Sequence, residues 1–262
     1  PCCNLLIKGN DDPMNVKSLA DKDNDLLTIF NGKEFSKLRS DLLNGIRHSA
    51  CEYCWKLEDK IGDSPRTVEI SKIDEPITQP KLKKFDTMLD ENCNLRCRMC
   101  TPACSNSLRK DVALIKSNNL TMPEYFVPSI SSTVDKDPQG KMTFKAPSDA
   151  NQKQLVELCN TNLEEIKFTG GEPTTSSTFW RVIDNIEHPE NIVLNITTNG
   201  TKFNEKFVDA VKRFKHNKFT ISIDGTNKTY GYIRYPFQWQ KLTKNIERLC
   251  NKLEEGLSLI HI

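Results

Sequence analysis

The sequence predicts an α/β chain. A partial parallel (β/α) barrel, cut short after about four βα units, follows a small, mostly helical module that carries cysteines. Three observations lead there. From Phe85 onward, short strand-like runs alternate with runs of helical periodicity, which implies parallel βα units. Before that point the apolar residues recur at helical spacing only. Four short motifs rich in cysteine or glycine also fall where strands end, the edge on which parallel barrels build their sites.

Residues 1–68 read as one unit. "VKSLADKDNDLLTIF" and "GKEFSKLRSDLLNG" have apolar residues at helical spacing, among them Phe35, Leu38 and Leu42, with Gly45 as a helix stop. "CEYCWKLEDKIG" reads as a short helix with Cys51 and Cys54 at its start. Residues 69–83 contain Pro76 and Pro80 and read as a linker. The core then runs over 84–262. "FDTML" (85–89) is its first strand and "ACSNSLRKDVALIKS" (103–117) its first helix. Residues 118–147 lack periodicity, hold Pro123, Pro128, Pro138 and Pro147, and read as an irregular insertion. Helices are expected at 149–160, 176–187, 204–214 and 237–256, and strands at 163–171, where the strand runs into a glycine turn, 191–200 and 218–225. The last helix places Trp239, Leu242, Ile246, Leu249 and Leu253 on one face. The final residues read as a strand cut short and the first residue is Pro1, so the chain is expected to be part of a longer protein.

Composition narrows the classes. The 262 residues are 37% hydrophobic and carry a net charge of +2, enough for a core and with no basic block to suggest nucleic acid. No apolar run is long enough to span a membrane. The ten cysteines include C-x2-C pairs, which point to metal rather than disulfides and to a cytoplasmic setting. The four histidines are dispersed and read as surface residues.

The chemistry concentrates in "DENCNLRCRMCTPACSN" (90–106), where Cys93, Cys97 and Cys100 are spaced C-x3-C-x2-C after the first strand. Three thiolates can hold three irons of a four-iron cluster and leave the fourth open, whereas four cysteines usually mean simple electron transfer. Zinc is the competing metal. A zinc ribbon, however, sets its two C-x2-C pairs about fifteen to twenty residues apart, and 42 residues separate Cys54 from Cys97. "TGGEP" (169–173), "TTNG" (197–200) and "SIDG" (222–225) follow at the ends of the next three strands.

This combination resembles the radical SAM enzymes over residues 85–262. The resemblance implies a [4Fe-4S] cluster on Cys93, Cys97 and Cys100. It also implies S-adenosylmethionine on the open iron, and reductive cleavage to a 5'-deoxyadenosyl radical that abstracts hydrogen from a substrate. It implies that the turn of Gly170, Gly171, Glu172 and Pro173 receives the methionine amino group. Asn199, in the family's "TNG", joins the cofactor site, and Ser222 with Arg234 of "GYIRYP" holds the methionine carboxylate or ribose. Met99 stands where the family often has an aromatic residue, and is adaptable enough to fill that place. The family's core has six βα units, so strands five and six are expected to be missing. Cys104 reads as a small buried side chain, as do Cys159 and Cys250. The glycines themselves are expected where a side chain would block a ligand from the backbone.

Residues 1–68 resemble the SPASM/twitch auxiliary-cluster module, placed before the core. The resemblance implies a second iron–sulfur cluster on Cys51, Cys54 and one of Cys2 and Cys3. It also implies a reductant such as flavodoxin or ferredoxin, and a substrate that is a peptide or protein in many relatives and a small molecule in some. The rival class is a non-catalytic iron–sulfur electron carrier, which would need a fourth ligand on the core cluster and would have no use for "GGEP".

Overall fold

Alternation along the strands builds the sheet. The computed structural model describes residues 25–73, 79–102, 104–122, 135–136, 142–143, 148–253 and 257–261, and the chain divides into two compact units, Pro1–Leu82 and Lys83–Ile262. Cys2 and Cys3 lie outside the described residues.

In the first unit, α1 (Leu26–Asn31) is capped by the Asp25 carboxylate on Thr28 N. It is followed by α2 (Lys33–Leu43), α3 (Glu52–Ile61) and α4 (Pro65–Ile70). Gly45 and Gly62 take the left-handed conformation just past α2 and α3, as helix stops do. The helix α4 occupies part of the stretch read as linker, because Ser64 forms a capping box with Thr67 and Pro65 suits a first helical position. His48 is half-buried rather than a surface residue, and its Nδ1 accepts from Ala50 N at 3.1 Å.

The second unit begins with β1 (Lys84–Met88) and α5 (Leu108–Ser117). In the stretch read as an insertion, a minimal antiparallel pair forms from β2 (Asp135–Lys136) and β3 (Met142–Thr143). Then come α6 (Asp149–Thr161), β4 (Glu165–Thr169), α7 (Ser177–Asp184), β5 (Val193–Thr198), α8 (Glu205–Lys212), β6 (His216–Ile221), α9 (Asn227–Ile233), α10 (Trp239–Lys252) and β7 (Leu257–His261). The main sheet is parallel, in the order β1-β4-β5-β6-β7, and it is open. The expected final strand is therefore present as its fifth member.

One face of each central strand is apolar. Ile166, Phe168, Leu194, Ile196, Phe219 and Ile221 are buried, as are Phe179 and Val182 of α7, Phe207 and Val211 of α8, and Leu242 and Leu249 of α10. Phe168 meets Phe179 edge-on at 5.1 Å, and Phe207 packs 5.7 Å from Phe219. Each such ring or branched chain contributes about 1.5–3 kcal/mol through burial. The opposite strand residues are polar and pair across the sheet, Lys167 with Asp86 at 2.7 Å and Lys218 with Glu165 at 3.1 Å. Every strand of a parallel sheet points the same way, so the segments after β1, β4, β5 and β6 gather at one edge.

Candidate functional site

The loop after β1 carries the cysteines, and polar side chains hold its shape. Leu89 and Leu95 anchor it in the core. Asp90 accepts from Asn92 N at 2.9 Å and from the Ser176 hydroxyl at 2.5 Å. Asn106 accepts from Cys93 N at 3.1 Å and donates to the Asn92 side chain at 2.8 Å. The fully buried Ser105 donates to Leu95 O at 2.7 Å, and Ser107 to Cys93 O at 2.6 Å. These bonds explain a difference from the expected helix. It begins at Leu108 rather than at 103, because Ser105, Asn106 and Ser107 bind the loop instead of capping a turn. Cys104 accordingly lies in a turn before the helix, half-buried, with its thiol beside that of Cys100.

A second strap comes from the segment after α9. Arg96 N donates to Tyr235 O at 2.7 Å, and Arg98 N to Ile233 O at 2.9 Å. The Arg98 guanidinium lies 4.2 Å from the Tyr232 ring centroid. Sequence periodicity gave no sign of α9, whose pattern Gly231 interrupts. It delivers Arg234, whose Nη1 donates to Cys97 Sγ at 3.6 Å while Nη2 pairs with Asp224.

The three thiols differ in partner. Cys93 Sγ accepts from Leu95 N at 3.5 Å and from the Asn199 amide at 3.8 Å. Cys97 is buried beside Arg234, and Cys100 packs against Leu108 and Val112. Burial pushes the Cys93 thiol up, and the charges of Glu172 and Cys97 add to that. Burial also raises Cys97, with Arg234 opposing it. Cys100 is raised first by its hydrogen bond with Cys104 and then by burial, while Cys104 is lowered to about 6 by the same bond. Each thiolate raises its neighbours, so the charged forms are stable together only with a cation among them. Among the described residues, no group of three His, Cys, Asp or Glu side chains converges to hold a metal ion. An iron–sulfur cluster places a separate iron at each cysteine, and soft thiolates with N–H groups aimed at their sulfurs are its donor set. The loop fits that group.

The glycine turn after β4 is closed in by the chain itself. Gly170 has φ +110°, and a side chain there would strike Met88 Cγ at 2.4 Å. A Cβ on Gly171 would sit 2.3 Å from Asn92 O. The side chains are excluded by the end of β1 at Gly170 and by the cysteine loop at Gly171. Gly171 N donates to Asp90 O at 3.2 Å and Glu172 N to Asn92 O at 2.6 Å, which fastens the turn to that loop. Pro173 leaves Glu172 extended, as expected (φ −131°, ψ 107°). The Glu172 side chain is buried. Its carboxylate accepts from Asn199 N at 2.6 Å, Thr198 Oγ1 at 2.8 Å, and Thr174 Oγ1 and N at 2.7 and 3.2 Å. Burial raises its pKa against those four bonds. Its carbonyl accepts from Thr175 N at 2.9 Å and Thr175 Oγ1 at 2.8 Å. Glu172 thus ties the end of β4 to the end of β5.

Asn199 faces the cysteine loop, donating to Asn94 Oδ1 at 3.0 Å besides Cys93. Ser222 directly follows β6, and its N–H donates to Thr198 O at 3.0 Å. The structure therefore brings Cys93, Glu172 and Asn199 together, and Cys97 with Arg234. Sequence reading missed Asp90, Asn92, Asn94, Ser105 and Asn106, single polar residues whose partners are distant in the chain. In the first unit, Cys51 and Cys54 are buried at the start of α3. Cys159 is buried on α6 and Cys250 is half-buried on α10.

Known proteins resemble this chain. The model of the Radical SAM superfamily matches residues 90–262. A GTP 3',8-cyclase of Synechocystis is 24% identical over 168 residues, which are 64% of this chain and 41% of that protein. The radical SAM cyclopropyl synthase TigE of Paramaledivibacter caminithermalis is 25% identical over 215 residues, 79% of this chain and 41% of that protein. The chain thus spans about two fifths of the length of these curated relatives. A structure of Streptococcus suis SuiB bound to S-adenosylmethionine superposes with a TM-score of 0.43 at 14% identity, covering 88% of this chain and 44% of that one.

Proposed function

This chain belongs to the radical SAM superfamily, and on that premise we propose that Cys93, Cys97 and Cys100 ligate a [4Fe-4S] cluster with one iron left open for S-adenosylmethionine. The observation that carries the reading is the joining of the cysteine loop to the turns after β4 and β5. Asn92 O holds Glu172 N, and Asn199 reaches Cys93. When bound, the pair supplies reductive cleavage to methionine and a 5'-deoxyadenosyl radical, which takes hydrogen from a substrate.

The chain's own residues divide the remaining work. Leu95 N, Asn199 and Arg234 donate to the cysteine sulfurs and offset their charge. The turn of Gly170, Gly171, Glu172 and Pro173 presents backbone to the methionine ammonium, with the Glu172 carboxylate as the brace that fixes it. Ser222, directly after β6, and Arg234, at the end of α9 and paired with Asp224, serve the carboxylate or ribose. Cys51 and Cys54, with Cys2 or Cys3, hold a second cluster. Among the described residues no helix is long and apolar enough to cross a membrane. The reading includes a cytoplasmic location, where thiols stay reduced, a flavodoxin or ferredoxin as reductant, and a peptide or protein substrate.

The rival reading, an electron carrier, requires a fourth thiolate, and Cys104 beside Cys100 is the thiol placed to supply it. The test is iron and sulfide content after anaerobic reconstitution. A triple Cys93→Ala, Cys97→Ala, Cys100→Ala variant should lose the core cluster's share, and Cys104→Ala should keep it. Equal iron in wild type and triple variant overturns the proposal. Loss of the cluster in Cys104→Ala favours the carrier.

A further inference from the structure

Three side chains close a ring of hydrogen bonds beside Cys93. Asn94 Nδ2 donates to Thr201 Oγ1 at 2.8 Å, and Thr201 Oγ1 donates to Asn199 Oδ1 at 2.7 Å. Asn199 Nδ2 donates back to Asn94 Oδ1 at 3.0 Å. Asn94 belongs to the cysteine loop after β1, and Asn199 and Thr201 to the turn after β5. Helix α10 anchors that turn, since Asn245 donates to Gly200 O at 2.9 Å and to Thr201 O at 3.2 Å.

The ring fixes which way the Asn199 amide faces. Thr201 N also donates to Asn199 Oδ1, at 3.0 Å. A backbone N–H can only donate, so the amide oxygen lies on the Thr201 side. The amide nitrogen is thereby turned to the other side. One of its two N–H groups goes to Asn94, and the other points to Cys93 Sγ at 3.8 Å. Asn199 is buried, so the sulfur is the acceptor at hand for that second hydrogen. Bonds that run in one sense around a ring also polarise one another.

Resting on the cluster assignment above, we infer that Asn94 and Thr201 are positioning residues of the core cluster, aiming an Asn199 N–H at the Cys93 sulfur and so raising the cluster's reduction potential. A thiol is a weak acceptor, but a metal-bound sulfur is a thiolate and a far better one. Reduction adds negative charge to the cluster, and a donor at a ligand sulfur favours the more negative form. Asn94 and Thr201 act through Asn199.

The experiment is an anaerobic redox titration of the reconstituted chain, followed by electron paramagnetic resonance without S-adenosylmethionine. The Cys51→Ala, Cys54→Ala background leaves only the core cluster to titrate. Asn199→Leu keeps the shape and removes the donor. Its reduction equilibrium should shift roughly tenfold towards the oxidised form, about 59 mV more negative for one electron. Thr201→Val and Asn94→Ala each open the ring and should shift it roughly threefold the same way, about 28 mV. Thr201→Ser returns the hydroxyl and should restore the starting value. Added to Asn199→Leu, neither ring variant should change anything further, because all act through one bond. The Asn94 side chain is exposed, so Asn94→Ala carries the test if Thr201→Val loads poorly. An unshifted potential in the ring variants overturns the inference. So does a ring-variant shift that persists at full size beside Asn199→Leu, or a Thr201→Val shift that serine does not reverse. A wild type that holds no core cluster at all refutes the cluster assignment instead.

Discussion

Replacing Gly171 by alanine separates two accounts of the glycine turn. An added Cβ would lie 2.3 Å from Asn92 O, 2.6 Å from Glu91 C and 2.8 Å from Asn92 C, all backbone atoms, and about 1 Å inside an ordinary contact. A flexible side chain could swing away, but backbone must move as a loop. Overpacking of this kind costs about 1–3 kcal/mol. Moving Asn92 also weakens its carbonyl's bonds from Glu172 N (2.6 Å) and Thr175 Oγ1 (3.1 Å), each worth about 0.5–1.5 kcal/mol. Together that is at most about 2–6 kcal/mol. At about 2–4 °C per kcal/mol for a chain of this size, melting should fall by roughly 4–24 °C. Cys93 is the next residue along, so iron uptake should fall with it. The assay is thermal melting by circular dichroism beside iron content after reconstitution. If the glycine serves only to admit a ligand, Gly171→Ala keeps its melting temperature and iron and loses only affinity for S-adenosylmethionine. That outcome would refute the packing argument.

Three further expectations follow from the same geometry. Glu172→Gln replaces an oxygen that accepts hydrogen bonds with an amide that cannot. It should destabilise the second unit by about 1.5–3 kcal/mol in chemical denaturation, and unchanged stability would mean that the carboxylate is not the brace. Ser105→Ala leaves Leu95 O without its 2.7 Å donor and should cost about 1–3 kcal/mol with a matching loss of iron uptake. Equal melting and iron would show the loop does not depend on it. In the first unit, Arg66 donates to Glu58 at 3.0 and 2.5 Å and holds its pKa below the ordinary value. That contribution is present above the ordinary glutamate range and disappears as pH falls through the lowered folded value. Unfolding of the first unit should therefore lose stability in acid, with a flatter profile in Glu58→Gln. Identical profiles would contradict the pairing.

The strands and their order of appearance were legible because a parallel sheet writes itself as alternating periodicities. Ile166 and Phe168, or Leu194 and Ile196, announce one buried face. The cysteine loop was legible because thiol spacing is a chemical signal. Three features were hidden for a shared reason, that their partners lie far off in the chain. Ser105 and Asn106 look like the start of a helix until Leu95 and Cys93 claim them. Glu172 looks like a surface charge until Thr174, Thr198 and Asn199 surround it. Arg234 closes a short helix interrupted by Gly231, and only the fold shows that it meets Cys97. Residues 1–24, with Cys2 and Cys3, lie outside the described part.

The open iron is the central claim, and one spectrum addresses it. The chain is reconstituted anaerobically, reduced, and followed by electron paramagnetic resonance as S-adenosylmethionine is added, with the Cys51→Ala, Cys54→Ala variant used so that only the core cluster contributes. A cluster held by Cys93, Cys97 and Cys100 alone should change its signal in a saturable way, and that change should be absent from the triple alanine variant. A reduced core cluster whose spectrum is the same with and without S-adenosylmethionine would contradict the account, because its fourth iron would then be closed.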